Sequence, residues 1–157
     1  MFLHGTYYNQ MDERNRIRIP TKLKKILGEN PFIMCGRPGA LFVISEKEYE
    51  KQIEAVFGDT NILDFEKQDL IREFVGGGGF AEEDKQDRIV LSEEQLRHTG
   101  IVKNVVTVGA VNQVEIWSEE AWKARHENVN SPENKAYEER IRKYREVCKS
   151  VNSADKG

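Results

Sequence analysis

Residues 12–19 read DERNRIRI and residues 84–91 read DKQDRIVL, so the chain contains one short pattern twice. Asp12 and Arg16 match Asp84 and Arg88 at an offset of 72 positions. A second match follows at an offset of 73, where CGRPGALFVISEKEY at 35–49 aligns with VGAVNQVEIWSEEAW at 108–122. Two repeats are too few for a solenoid. The duplication therefore predicts two equivalent half-domains that intertwine and are related by an approximate twofold axis.

Each copy of the pattern predicts a turn followed by a strand. DERN at 12–15 favours a turn, because Asp hydrogen-bonds its own following backbone and Asn tolerates a left-handed conformation. RIRI at 16–19 alternates polar and apolar residues, which is typical of a strand with one buried face. We therefore expect 6–11 and 16–19 to form a β-hairpin, and DKQD at 84–87 to connect the strands of a second one.

The remaining pattern predicts a mixed α+β domain. Capping boxes at Ser45 with Glu48 and at Ser92 with Gln95 each open a predicted helix. We expect one intertwined domain over 1–130, a C-terminal helix over 131–151 and a disordered tail over 152–157. Within the domain, the repeats cover about 4–57 and 77–126, and a helix at 61–75 links them. An apolar stripe on the C-terminal helix is expected to pack on its own domain or on a neighbouring subunit: Tyr137, Ile141, Tyr144, Cys148 and Val151.

Composition places the chain among cytoplasmic globular proteins. Its 157 residues fit one domain, and 38% of them are hydrophobic and 32% charged. No apolar run approaches the ~20 residues that cross a membrane, and the start MFLHGTYYNQ lacks the features of a signal peptide. Cys35 and Cys148 form no CxxC pair, so neither a disulfide framework nor a zinc site is indicated.

The charge is unevenly distributed. Residues 1–28 contain six Lys and Arg against two acidic residues, a net charge of +4. The whole chain carries −3, so residues 29–157 carry −7. A basic face on an acidic body can attract phosphate at one surface only.

No catalytic, metal or cofactor site is predicted. His4, His98 and His126 are scattered, without metal-ligand spacing. The Gly76–Gly79 run lacks the Lys-Ser/Thr of a phosphate loop and is interpreted as a flexible linker. The acidic residues 82–84 are interpreted as a solvated turn rather than a site for a divalent cation.

The basic residues around the first turn favour a nucleic-acid partner. By itself, an Asp and an Arg across a turn most often stabilise the turn and form a weak surface ion pair. Around Arg16, however, lie four further cations, Arg14, Arg18, Lys22 and Lys24. A guanidinium can bind a phosphate or the O6/N7 edge of guanine with two hydrogen bonds, and a β-hairpin can lie in a major groove.

With these motifs the chain resembles the MraZ family of bacterial transcription factors, relatives of the AbrB and MazE antitoxin DNA-binding domains. The resemblance covers about residues 1–125 and rests on the MFL start, DERNRIRIP, DKQDRIVL and VGAVNQVEIWSEEAW. It implies a double-split β-barrel of two AbrB-like halves in one chain, assembled into homo-oligomeric rings. It also implies binding to G-rich tandem promoter repeats of the division and cell-wall gene cluster, and thus association with the nucleoid.

The resulting candidate DNA-binding residues come from both repeats. They are Asp12, Arg14, Arg16, Arg18 and Lys22 in repeat one, and Asp84, Lys85 and Arg88 in repeat two. Arg16 is expected to reach bases or phosphates, and Asp12 to orient it. Asn15 and Asp87 replace the family's usual glycine, and both residue types tolerate a positive φ.

Repeat two is expected to bind DNA less well than repeat one. EEDKQDR at 82–88 contains four acidic and two basic residues, a net charge of −2. Two other functional classes remain at this stage. One is an antitoxin-like interaction module that engages a toxin through the C-terminal helix. The other is an enzyme, against which the lack of a nucleophile, base or metal cluster counts.

Overall fold

A computed structural model of the chain describes residues 1–127 and 132–155. These residues form a mixed set of strands and helices, which confirms the predicted α+β class. The strands are β1 (Leu3–Gln10), β2 (Arg16–Arg18), β3 (Phe32–Cys35), β4 (Ala40–Ile44), β5 (Gly79–Phe80), β6 (Arg88–Val90), β7 (Asn104–Val111) and β8 (Gln113–Ser118). The helices are α1 (Thr21–Leu27), α2 (Glu46–Phe57), α3 (Phe65–Phe74), α4 (Glu93–Thr99), α5 (Glu119–Glu127) and α6 (Pro132–Asp155).

The chain divides into two compact units, Met1–Glu119 and Glu120–Gly157. The first unit holds all eight strands of the described residues, in one antiparallel sheet of six strands and one ribbon of two. The sheet order is β1-β7-β8-β4-β3-β5, and the ribbon is β2-β6. Exchanging the repeats turns β1 into β5, β3 into β7 and β4 into β8. The sheet order then reads the same from the opposite edge, so its topology has the twofold symmetry expected of a duplication.

The strand registers place the pseudo-twofold axis at two pairs of residues. In the ribbon, Ile17 lies opposite Ile89, its own equivalent at the offset of 72. In the sheet, Phe42 of β4 lies opposite Glu115 of β8, its equivalent at the offset of 73. Because the axis passes through both pairs, each repeat contributes one strand to the ribbon and one strand to the centre of the sheet.

The predicted β-hairpin is wrong. β1 pairs with β7, and β2 pairs with β6, so the strands on either side of the first turn do not pair with each other. The second predicted hairpin is wrong as well, because β5 pairs with β3 and the second turn is crossed by an isolated bridge between Glu83 and Ile89 rather than by a pair of strands. Across the first turn, the Asp12 amide donates to the Arg16 carbonyl at 3.0 Å, and the chain then leaves β1. The physical reason is burial. Pairing β2 with β6 places Ile17 and Ile89 side by side, each only 1% exposed, and joins them to one core.

The core of the first unit lies between the sheet and the ribbon and draws on both repeats. Its fully buried side chains come from the central strands, the ribbon and α1: Ile17, Leu23, Leu41, Val43, Ile89, Val105, Val114 and Ile116. Period-two alternation explains the ribbon, because Ile17 and Ile89 are buried whereas their neighbours in β2 and β6 are not.

Several local features follow the sequence closely. Ser92 and Gln95 form the predicted reciprocal capping box at the start of α4. At the start of α2, the Ser45 hydroxyl accepts from the Glu48 amide at 3.1 Å. Gly28 follows α1, and its amide donates to the Lys24 carbonyl, as expected of a C-terminal cap.

The segment between the repeats makes specific capping and packing contacts that the sequence pattern did not predict. The linking helix α3 begins at Phe65 rather than at 61, after Asp64 caps it by accepting from the Lys67 amide. In the glycine run, a Cβ atom at Gly78 would lie 2.6 Å from a Phe32 ring carbon. Gly78 therefore permits a close approach to the aromatic ring, a packing role beyond flexibility.

The second unit consists of the end of the chain and is helical within its described residues. α6 continues to Asp155, past the predicted end at 151 and into the segment expected to be disordered. Of the predicted apolar stripe, Ile141 and Cys148 are half-buried and Tyr144 is exposed. The predicted cap Ser131 and the side chains of Tyr137 and Val151 lie outside the described residues.

We expect neither residues 1–75 nor residues 76–157 to fold alone. Each fragment would contain one strand of the ribbon and only part of the sheet, which leaves its apolar face unpaired. Circular dichroism with thermal melting of each purified fragment tests this. A cooperative transition of a monomeric fragment would show that the halves are independent domains.

Candidate nucleic-acid interface

The two turns have the same internal geometry. In the first, the Asp12 Oδ1 atom accepts hydrogen bonds from the backbone amides of Arg14 at 2.9 Å and Arg16 at 3.0 Å. The Oδ2 atom accepts from the Arg16 Nε group at 2.8 Å. In the second turn, Asp84 accepts from the amides of Gln86 and Arg88 and from the Arg88 Nε group at 2.9, 3.0 and 2.8 Å. Each aspartate thus binds the backbone of its turn and one edge of its arginine.

A left-handed residue precedes each arginine. Asn15 and Asp87 both have φ of 59°, as expected from residue types that tolerate this conformation. The turn requires such a residue because the chain must reverse within the reach of one aspartate side chain. Asn15 and Asp87 therefore occupy a position that a glycine would fill with less steric strain.

The turns meet across the pseudo-twofold axis and form a closed cycle of four charges. Within each turn the Arg Nε to Asp Oδ2 distance is 2.8 Å. Between the turns, Arg16 Nη1 lies 3.5 Å from Asp84 Oδ2, and Arg88 Nη1 lies 3.7 Å from Asp12 Oδ2. We call Asp12, Arg16, Asp84 and Arg88 the charge cycle. Positive and negative groups alternate around it, so its net charge is zero.

Hydrogen bonds within each turn lower the pKa of its aspartate. Burial raises the pKa of Asp12, but hydrogen bonds from the Arg16 amide and guanidinium and from the Arg14 amide outweigh it, and the pKa lies below its ordinary value. For Asp84, the hydrogen bond from the Arg88 amide is the largest influence and lowers the pKa, with burial opposing it. Both carboxylates are therefore ionised at neutral pH and hold the arginines in place.

The ribbon presents four side chains on one face, because residues two apart in a strand point the same way. Ile17 and Ile89 point into the core, and the opposite face carries Arg16, Arg18, Arg88 and Val90. We call this the outer face of the ribbon. Arg16 lies opposite Val90 and Arg18 opposite Arg88. Three arginines thus converge on a surface two strands wide.

The other predicted DNA-binding cations lie around the turns. Arg14, Arg18, Lys22 and Lys85 are exposed, and none of them forms an ion pair with another described residue. Lys24 differs, because its ammonium pairs with Glu83 and donates to the Gly28 carbonyl. Lys24 therefore links α1 to the start of the second turn.

Sequence reasoning missed the pairs that cross between repeats, Arg16 with Asp84 and Arg88 with Asp12. Only the duplication hinted at them, since equivalent turns on a twofold axis can meet. Sequence reasoning also overlooked Val90, whose place beside the arginines follows from its spacing of two from Arg88.

In the described ranges 1–127 and 132–155, no three acidic, His or Cys side chains converge so as to hold a metal ion. No helix in those ranges is long and apolar enough to span a membrane.

Comparison with known proteins identifies relatives over most of the chain. The family model described as "MraZ protein, putative antitoxin-like" matches residues 1–66 and 74–144. The chain is 34% identical over 127 residues to the transcriptional regulator MraZ of Lachnoclostridium phytofermentans, covering 79% of this chain and 86% of the relative. It is 35% identical over 145 residues to the protein of that name from Carboxydothermus hydrogenoformans, covering 88% and 93%. The protein of that name from Micrococcus luteus is 31% identical over 122 residues, covering 78% and 84%.

The depressed aspartate pKa values predict an acid-sensitive fold. A carboxylate whose folded pKa lies below its unfolded value of about 3.9 stabilises the protein fully above that value. The contribution is lost as the pH falls through the folded pKa. We expect the double variant Asp12→Asn/Asp84→Asn to be less stable than wild type near neutral pH. Between about pH 5 and pH 3, its free energy of unfolding should fall by less than that of wild type. Urea midpoints across this range provide the measurement.

The control for this experiment is Asp69→Asn. It removes an exposed ion pair with Arg72 on α3, away from the charge cycle. Its acid profile is expected to run parallel to that of wild type. A parallel profile for the double variant as well would show that the charge cycle does not contribute to acid sensitivity.

Proposed function

The chain belongs to the MraZ family of transcriptional regulators, and we propose that it regulates transcription by binding double-stranded DNA through the outer face of the ribbon. It is a regulator and not an enzyme. The observation that carries the proposal is the placement of Arg16, Arg18 and Arg88 on one face of a two-stranded ribbon, where Arg18 is exposed and the other two are half-buried. The major groove of B-DNA, about 12 Å wide, admits a two-stranded β-ribbon.

The charge cycle prepares Arg16 for recognition. Its salt bridges engage the Nε and Nη1 groups, whereas an arginine carries five N–H donors in a planar fork. The Nη2 group remains to donate to a phosphate oxygen or to the O6 or N7 atom of a guanine. Because Asp12 holds the guanidinium in place, less side-chain entropy is lost on binding. Arg88 is held in the same way by Asp84.

The residues around the ribbon support phosphate contacts. Arg14 at the tip of the first turn, Lys22 on α1 and Lys85 at the second turn are exposed and stand beside the ribbon in sequence. The charge of +4 in residues 1–28 against −7 in the remainder favours approach in one orientation. The negative charge of the remaining residues disfavours DNA binding at other surfaces of the protein.

We propose assembly into a homo-oligomeric ring, with each subunit built as a double-split β-barrel of two AbrB-like halves. One ribbon offers few contacts, and several on one ring facing tandem G-rich promoter repeats gain avidity through effective concentration. The exposed apolar side chains of Ile62 and Leu63 between α2 and α3, and of Phe65 at the start of α3, support contacts between copies. The expected targets are promoters of the division and cell-wall gene cluster, in the cytoplasm and at the nucleoid.

A second candidate function is an antitoxin-like interaction through the C-terminal helix. α6 exposes Tyr144 and Val147 near its middle, and aromatic residues are enriched at protein interfaces. This candidate gains support if the ribbon arginines prove unimportant for DNA binding.

Arg16→Ala is expected to lower affinity for the promoter by about five- to 150-fold per subunit, since one base or phosphate contact contributes roughly 1–3 kcal/mol. Arg88→Ala is expected to have a smaller effect, because acidic residues at 82–84 and 87 surround it. It should still weaken binding, since Arg88 Nη1 lies 3.7 Å from Asp12 and its loss leaves a carboxylate less neutralised beside Arg16. Affinities at one salt concentration and a sizing column provide the measurement.

Arg72→Ala is the matched control, an exposed arginine on α3 that is paired with Asp69. Its affinity is expected to equal that of wild type. Equal losses from Arg16→Ala and Arg88→Ala with assembly unchanged would mean that both turns read DNA alike. If neither substitution matters, the DNA surface lies elsewhere and the interaction module becomes the better account.

Binding is expected to weaken steeply with salt. Each neutralised phosphate contributes about −0.9 to the slope of log K against log salt concentration, so a ring engaging several ribbons should give a slope beyond about −3. Arg14→Ala should make the slope shallower by about 0.9 for each phosphate that Arg14 neutralises in the wild-type complex. A slope near zero would contradict an electrostatic mode of binding.

A further inference from the structure

Val90 is an exposed apolar residue in the middle of a cationic surface. It is 56% exposed, although its neighbour Ile89 is buried in the core. Its position on the outer face follows from strand alternation, and its partner in the antiparallel register is Arg16. A ligand on the outer face that contacts Arg16 therefore lies close to the Val90 side chain.

The same position breaks the pseudo-twofold symmetry of the outer face. Arg16 and Arg88 are equivalents at the offset of 72, and both belong to the charge cycle. The equivalent of Val90 is Arg18, which is exposed and cationic. At two equivalent positions of the ribbon, the chain therefore presents the guanidinium of Arg18 and the two methyl groups of Val90.

The chemistry of the major groove offers one apolar feature that a valine can recognise. Among the four bases, thymine alone carries a methyl group, at C5, and this group projects into the major groove beside the donors and acceptors. Cross-strand residues of an antiparallel pair have Cβ atoms about 4.5–5.5 Å apart. Successive bases along one strand rise about 3.4 Å. Side chains at Val90 and Arg16 thus reach base pairs that are one or two steps apart.

We propose that Val90 is a specificity-determining residue that contacts the methyl group of a thymine close to the base pair contacted by Arg16. The inference rests on the proposed DNA-binding function. Contact between two apolar groups removes both from water, whereas cytosine at that position carries only a hydrogen at C5 and leaves this contact unmade. The arginines supply most of the affinity, and Val90 supplies discrimination at one base pair.

The experiment replaces thymine by deoxyuridine, which lacks only the methyl group. A duplex selected by the wild-type protein from a random pool is remade with each thymine substituted in turn. Fluorescence anisotropy at one fixed salt concentration then gives the affinity ratio of the thymine duplex to each deoxyuridine duplex. We expect one substituted position to lower wild-type affinity by about fourfold, the effect of one methyl group in an apolar contact. For Val90→Ala, the ratio at that position should fall to about one.

The ratio is taken within one protein variant, so it is unaffected by a small change in the fraction folded. Val56→Ala is the matched control, because this valine on α2 is 52% exposed and lies off the ribbon. It should keep the wild-type ratio. A wild-type protein that binds the duplex but is indifferent to every deoxyuridine overturns the role of Val90 and leaves the proposed function standing. A fourfold ratio that persists in Val90→Ala also overturns it. Failure of the wild type to select any DNA overturns the proposed function and this inference together.

Discussion

The ion pairing between two copies of one turn is the interaction on which the rest of the first unit depends. Asp12 binds Arg16 in its own turn and faces Arg88 across the axis, and Asp84 does the same in reverse. A cycle of alternating charges of this kind closes only when the two turns lie side by side. It therefore links the local conformation of each turn to the pairing of β2 with β6 and to the burial of Ile17 and Ile89 beneath them.

This arrangement also joins stability to recognition. Arginines that would be mobile on a surface are held at one edge by carboxylates with lowered pKa values, and the other donors stay available to a ligand. Because the cycle carries no net charge, the long-range attraction to phosphate comes from the exposed cations around it. Arg14, Arg18 and Lys22 belong to the first repeat, so the symmetric scaffold carries an asymmetric charge pattern.

Much of the local structure could be predicted from the sequence because its causes are local. An Asp that binds the amides two and four residues ahead defines the turn, Asn15 and Asp87 accept the left-handed conformation, and Ser92 with Gln95 caps α4. The predicted hairpin was wrong for the opposite reason. A strand as short as Arg16–Arg18 can satisfy its hydrogen bonds with any partner, and nothing within the turn selects one.

The sequence by itself determined that this is an α+β chain of two equivalent repeats, each with a buried isoleucine beside a motif arginine, and it identified the family. Only the tertiary structure decided that the repeats exchange strands, that Arg16 and Arg88 share their aspartates, and that Val90 stands opposite Arg16. The reason is physical. Turns and caps depend on atoms a few residues apart, whereas the partners of a strand and a charge depend on which arrangement buries the most apolar surface from both halves of the chain at once.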